Sequence, residues 1–302
     1  MSRLHADEAD IDLPLVRRLL AAQFPHWADL PLAPVASAGT SNALYRLGDD
    51  MVVRMPRVEW VTAEVEKEHR WLPRLAPQLP LAIPVPLAMG APAEGYPWQW
   101  SVYQWLDGAN AIVEQVADSR EAATALAEFV LALQQIDTAG GPRPGAHNYF
   151  RGVPLAARDA QTREAIAALD GVVDTEEVTA AWDGALHAPV WDAPPVWIHG
   201  DLLPGNLLVE QGRLSAVIDF GGLAVGDPAC DLLGAWSFLS ADTREVFRVS
   251  LSVDDTTWAR GRGWALSVAL IALPYYQSTN PVFANLATQM IDEVLADRDD
   301  GA

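Results

Sequence analysis

One cysteine, Cys230, stands in 302 residues. A single thiol cannot close an internal disulfide, so a cross-linked scaffold is excluded and a reducing compartment fits. Basic residues are scarce as well: 20 Lys and Arg stand against 40 Asp and Glu, for a net charge of −20. A surface so acidic repels nucleic acid and either draws in cations or simply keeps the chain soluble. Long apolar runs are missing. The longest, residues 264–276, is too short to cross a bilayer, so no membrane role is expected. Residues 1–12 are polar and acidic, without the basic start and apolar stretch of a signal peptide, and a cytoplasmic location is expected. No internal repeat is present. Half of the residues are hydrophobic, enough for a sizeable core in one large domain or two lobes.

Against that background one stretch stands out. His199-Gly200-Asp201-Leu202-Leu203-Pro204-Gly205-Asn206 is followed by Ile218-Asp219-Phe220-Gly221. Residues 196–198 read as a short buried strand that ends at His199. Pro204-Gly205 marks a tight loop, and residues 207–209 leave as a second strand. Gln211-Gly212 turns the chain, and residues 216–218 return as a hairpin partner. Asp219 thereby comes back beside Asn206, so that three oxygen-bearing side chains meet at one rim, as a hard cation requires. Metal-assisted phosphoryl transfer needs such a set: one carboxylate to accept or orient a hydroxyl proton, and a carboxylate with an amide to hold Mg²⁺ against nucleotide phosphates. His199 is expected to brace the loop by hydrogen bonding rather than to do chemistry.

These residues resemble the aminoglycoside phosphotransferase family, which is similar in fold to protein kinases. Its loop reads His-Gly-Asp, and Gly226-Asp227-Pro228-Ala229-Cys230-Asp231-Leu232 resembles the family's Gly-Asp-Pro-x-x-Asp-Leu segment. The match is strongest over residues 196–236 and runs more weakly from about Gly39 onward. The resemblance implies Asp201 as catalytic base and Asn206 and Asp219 as magnesium ligands. Asp227 also reads as a helix cap before Pro228, opening a helix over 227–239. Asp231, one turn on among leucines, needs partners, and the backbone amides of the 199–206 loop are the expected ones. Cys230 reads as a small core residue.

Strand signals cluster early and helix signals late. Strands are expected within 33–55, with Gly48-Asp49-Asp50 as a hairpin turn, and over 98–106. Residues 80–86 read as extended. Helices are expected over 13–24, 60–76, 119–138, 158–169, 175–187, 227–239, 255–277 and 281–297. The implied architecture is α+β and bilobal, kinase-like, with a small β-rich N-lobe (1–104) that binds nucleotide. A larger helical C-lobe (105–302) carries the catalytic loop and the substrate pocket.

The N-lobe parts follow the family less closely. Residues 38–42 hold small side chains between two strands, a plain turn or a phosphate loop. Beside the C-lobe motifs, nucleotide contact by Gly39, Ser41 and Asn42 is favoured, although no full Gly-x-Gly-x-x-Gly is present. The strand that carries the nucleotide-binding lysine in this fold has Arg54 instead. Its expected partner is Glu68, which shares the inward face of the next helix with Val65, Leu72 and Leu75; Glu64 is the alternative. Glu66 and Lys67 are expected to face solvent. Gln104 and Leu106 belong to the hinge strand, whose backbone would meet the nucleobase of ATP or GTP.

The substrate implied is a hydroxyl on a small molecule, often a cationic aminoglycoside; relatives act on macrolides and others on ordinary metabolites. Asp107, Asp254, Asp255 and Glu293 are the acidic candidates for a cationic ligand. Trp258, Trp264, Tyr275 and Tyr276 form either an aromatic pocket or ordinary helix packing, the latter favoured. A non-catalytic nucleotide-binding protein is disfavoured because Asp201, Asn206 and Asp219 all survive. A protein substrate is disfavoured too: residues 219–221 run straight into Gly226-Asp227-Pro228, leaving no room for a long activation loop, and no protein partner is implied.

Overall fold

In the computed structural model, which describes residues 8–35 and 41–299, the first helix starts where the sequence places a cap. Asp12 Oδ1 accepts from Leu15 N–H at 2.8 Å, and Pro14 lies in the first turn of α1 (Leu13–Gln23). Its apolar face, Leu15, Val16, Leu19 and Leu20, is buried against a five-stranded antiparallel sheet. In chain order the strands are β1 (Leu32–Pro34), β2 (Asn42–Leu47), β3 (Met51–Pro56), β4 (Pro86–Gly90) and β5 (Trp100–Gln104), arranged β1-β2-β3-β5-β4. The β2–β3 hairpin turns at Gly48, whose φ of +61° suits glycine. Alternation then decides which side each residue faces. Tyr45, Leu47, Met51, Val53 and Met55 join the core under α1, and Arg54 falls on the opposite side. There α2 (Thr62–Leu75) packs on β4 and β5, burying Val65, Leu72 and Leu75 with Glu64 and Glu68.

The second, larger core is mainly helical. It gathers α3 (Ser119–Gln135), α4 (Asp159–Ala168), α5 (Thr175–Leu186), α8 (Asp255–Tyr276) and α9 (Pro281–Asp299) around the fully buried Trp182, Trp197, Trp236 and Trp264. Two small β units are set into it. β6 (Ala109–Asn110) pairs with the hairpin β8 (Leu207–Glu210) and β9 (Arg213–Val217), and β7 (Val196–Ile198) pairs with β10 (Ala224–Gly226). The expected α+β division, sheet first and helices after, is what the molecule shows.

Several local expectations are corrected. The helix expected over 227–239 is a 3₁₀ turn, Pro228–Leu233, followed by the one-turn helix α6 (Gly234–Ser237). Side chains set this: Asp227 caps Ala229 N–H and bonds the buried Arg260 of α8, while Asp231 must reach back to the loop after β7. Helix α7 (Ala241–Leu251) and strands β4 and β10 carried no expectation. β4 and β10 are defined by partners far along the chain, β5 and β7. Among the described residues no helix is long and apolar enough to cross a membrane.

Two glycines test the packing in opposite directions. A Cβ on Gly90 would come within 2.0 Å of the fully buried Trp100 indole, whereas one on Gly184 in α5 meets nothing within 4 Å. Urea unfolding should show Gly90→Ala less stable by about 1–3 kcal/mol. Gly184→Ala should be more stable by roughly 0.5–1 kcal/mol.

Candidate active site

The loop after β7 is held from behind by a carboxylate. Asp231, fully buried, accepts from His199 N–H at 2.8 Å and from Gly200 N–H at 2.6 Å. Those are the loop amides expected as its partners. Burial pushes its carboxyl up to about 7, with the two amides opposing that rise. Gly200 has φ +82°, and a Cβ there would lie 2.7 Å from Gly222 O, so the loop and the turn after Asp219 lie against each other. His199 bridges them. Its Nδ1 accepts from Asp201 N–H at 3.1 Å, which leaves Nε2–H to donate to Ile218 O at 3.1 Å. That fixes the neutral tautomer, and burial pulls its pKa down to about 4. The bracing role expected of His199 is the one these bonds describe.

Asp201 and Asn206 meet directly: Asn206 Nδ2 donates to Asp201 Oδ2 at 2.9 Å and to its carbonyl at 2.8 Å. Ile218 N–H donates to Asn206 O at 2.8 Å, tying the end of β9 to the loop. Asp219 follows at φ +63°, an unusual conformation for a non-glycine residue, and its side chain is half exposed. Its carboxylate turns toward Arg54, with Oδ1 3.1 Å from Nη2, and its charge also acts on the Asp201 carboxyl.

Arg54 is the centre of the other half. Nη1 donates to both oxygens of Glu68 at 2.7 and 2.8 Å, and Nη2 to Glu64 at 3.1 Å, so both candidate glutamates are partners. With its amide oxygen facing the guanidinium, Asn42 accepts from Nη2 at 3.0 Å and Nε at 3.1 Å. Tyr103 donates its hydroxyl to Glu68. The carboxylates of Glu64, Glu68 and Asp219 lie within 4.8 Å of one another. Burial, then Asp219 and Glu68, raise the Glu64 carboxyl well above its usual range against the pull of Arg54.

Lys67 is a correction. Instead of facing solvent, it donates to Gly221 O at 2.5 Å, and burial lowers its ammonium pKa. It is the chain's only lysine, and that singularity was the available signal. Arg151 was missed altogether; its Nη2 lies 3.4 Å from Asp201 Oδ1. Gly39 lies outside the described residues. Ser41 O accepts from Arg57 N–H at 2.8 Å, placing the residue at the root of β2. At the hinge, Gln104 N–H donates to Val85 O at 2.9 Å and Trp105 N–H to Asp50 O at 2.7 Å; Leu106 follows, half-buried, in irregular chain.

The acidic residues nominated for a cationic ligand are engaged elsewhere. Asp254 caps α8, Asp255 pairs with Arg248, Glu293 pairs with Arg244, and Asp107 accepts from Trp105 Nε1 at 2.9 Å. Trp264 is buried in the helical core and Trp258 packs on Trp236 with centroids 4.7 Å apart, as ordinary helix packing requires. Of the same set Tyr275 is exposed and stands edge to face with Tyr276 at 4.8 Å; exposed rings also occur at Trp60, Tyr149 and Phe150, with Trp60 and Tyr149 edge to face at 5.7 Å. Besides burial, the charges of Glu64, Asp219 and Asp201 raise the Tyr149 hydroxyl, which places that ring beside the cluster.

A β-rich N-terminal part and a helical C-terminal part, with an Arg–Glu pair on one facing a His-Gly-Asp loop on the other, define a kinase-like phosphotransferase fold. The chain belongs to the phosphotransferase enzyme family, whose model matches residues 33–264. Among solved structures it is similar to the GDP and kanamycin complex of APH(2")-IIia (TM-score 0.73, 20% identity, 93% of this chain and 98% of that one). It is also similar to the macrolide 2'-phosphotransferase MphH from Brachybacterium faecium (0.62, 24%, 93% and 98%) and to a macrolide 2'-phosphotransferase type I (0.63, 19%, 93% and 98%). At these identities the likeness is one of fold. No curated protein sequence matches significantly.

His199 gives the site a pH signature. Its pKa is about 6.5 when unfolded and about 4 when folded, so between these values the unfolded chain takes up a proton that the folded one refuses. Its contribution is therefore intact above pH 6.5 and lost as pH falls toward 4, by up to roughly 3 kcal/mol. Urea unfolding of wild type and His199→Gln at pH 7 and pH 4.5 should show a steeper acid loss in the wild type.

Proposed function

We propose that this protein transfers the γ-phosphoryl group of ATP or GTP to a hydroxyl of a small molecule, an aminoglycoside antibiotic being the first candidate. The observation that carries this is the pairing of Asp201 with Asn206 on a rim tied through Ile218 to Asp219, opposite the Arg54–Glu68 pair. Residues 1–104 are assigned as the nucleotide lobe and 105–302 as the catalytic and substrate lobe. Asp201, a third exposed, orients the acceptor hydroxyl and takes its proton. Arg54 grips phosphate while Glu68 holds it in place. Ser41 and Asn42 are assigned to the phosphate side, and the remaining backbone groups of Gln104–Leu106 to the base.

Asn206 and Asp219 suit Mg²⁺ in donor type, both offering oxygen, and the half-exposed Asp219 carboxylate already attracts a cation. Bound there, the ion would neutralise charge on the nucleotide phosphates. The chain's own work is to hold Asn206 against Asp201 and to present Asp219 from its left-handed turn.

A second substrate class has a specific observation behind it. Asp107, Asp254, Asp255 and Glu293 each already have a protein partner, while Trp60, Tyr149 and Phe150 expose aromatic surface. That favours a partly apolar acceptor such as a macrolide.

Mass spectrometry of aminoglycosides and macrolides incubated with enzyme, Mg²⁺ and ATP or GTP tests both. A gain of one phosphoryl group on one class is expected, reduced by about 10²–10⁴-fold in Asp201→Ala. Asp219→Ala should abolish metal-dependent turnover, and Arg54→Ala should chiefly weaken nucleotide use. Full activity in Asp201→Ala would remove the assigned base. Nucleotide binding with no product from either class would point to a cellular alcohol as acceptor.

A further inference from the structure

The 199–206 loop has no cation of its own. The two residues after Asp201 are the buried Leu202 and Leu203, followed by Pro204 and Gly205. Charge on a phosphoryl group in flight needs a positive partner near the base. Arg54, held by Glu64 and Glu68 on the opposite lobe and beside Asp219, is assigned to the nucleotide phosphates, and Lys67 donates to Gly221 O. Among the described residues the cation whose ion pair reaches Asp201 is Arg151, from the segment between α3 and α4.

That segment is built to deliver it. Asn148, fully buried, accepts from Gly145 N–H at 2.9 Å. Its Nδ2 donates to Arg151 O at 2.9 Å and Gly222 O at 3.2 Å, fastening the loop to the turn after Asp219. Tyr149 and Phe150 are both left-handed, at φ 56° and 57°, a conformation that bulky residues adopt only when their surroundings impose it. Gly200 completes the fit, since a Cβ there would stand 3.1 Å from Arg151 Cβ. The guanidinium is only partly used. Nη2 reaches Asp201 at 3.4 Å, and Nη1 is buried without a hydrogen-bond partner among the described residues. A guanidinium presents its donors as a planar fork, the shape that matches phosphate oxygens.

We propose that Arg151 is a further catalytic residue, contacting the transferred phosphoryl group beside Asp201; this rests on the phosphotransferase function proposed above. The acceptor oxygen bonds to the γ-phosphorus as the bond from that phosphorus to the β–γ bridging oxygen breaks. The electron pair departs with the nucleoside diphosphate, and the hydroxyl proton passes to Asp201. Arg151 keeps its protons throughout, and its guanidinium donates to the non-bridging oxygens from the edge that reaches Asp201.

The test compares wild type, Arg151→Ala, Arg151→Lys and Asp201→Ala. Each is assayed for transfer to the acceptor found by mass spectrometry and, without an acceptor, for nucleotide hydrolysis. Arg151→Ala should lower kcat about 100-fold or more, with nucleotide Kd changed less than about threefold. Arg151→Lys should retain part of the rate, because the charge remains. Methylguanidinium in the buffer should raise the rate of Arg151→Ala and leave Asp201→Ala unchanged. A kcat for Arg151→Ala within twofold of wild type overturns the proposal while leaving the phosphotransferase function standing. So does a loss that methylguanidinium does not relieve and that Arg151→Lys shares in full, since that marks a structural role. Absence of turnover in the wild type under every condition overturns both.

Discussion

The guanidinium of Arg54 is where three parts of the molecule meet. It stands on β3, draws Glu64 and Glu68 from α2, and reaches Asp219 at the end of the β8–β9 hairpin. A lysine in its place would bring three donors from one point; arginine brings five in a fixed plane. That difference fits the observed set of partners, which needs two bonds to Glu68, one each to Glu64 and Asp219, and the contact with Asn42. Arginine in place of lysine is thus matched by the acidic set around it.

Charge balance explains the rest of the cluster. Three carboxylates around one guanidinium leave a buried excess of negative charge, and burying unpaired charge is costly. The molecule answers twice. Lys67 is brought to Gly221, next to the same carboxylates, and the Glu64 carboxyl is pushed toward its neutral form. Both responses tie α2 to the turn that carries Asp219, so the sheet, the helix and that turn are joined in one electrostatic cluster. The second fixed point, Asp231 behind His199 and Gly200, does for the 199–206 loop what Arg54 does for the turn at Asp219.

Much of this was legible along the chain because the relevant contacts are short in sequence or carried by a dense motif. The hairpin that returns residue 218 to Asn206, the loop amides awaiting Asp231 and the inward face of α2 follow from periodicity and turn chemistry. Where the reading failed, a distant partner had overruled a local preference. Residues 228–233 would suit a helix by composition, yet Asp227 is held by Arg260 and Asp231 by the loop after β7, which tightens the segment to a 3₁₀ turn. Lys67 looked like a surface residue because helical spacing says nothing about a backbone carbonyl arriving from residue 221.

By itself the sequence determined the residue types that phosphoryl transfer requires, their order, and the α+β division, since each depends on patterns within about twenty residues. Only the tertiary structure decided where Asp219 points, that both Glu64 and Glu68 bind Arg54, and that Arg151 stands beside Asp201. Those contacts join residues 10 to 165 positions apart. A carboxylate or guanidinium chooses its partner by distance and burial in the folded molecule, and neither quantity exists until the two cores have packed.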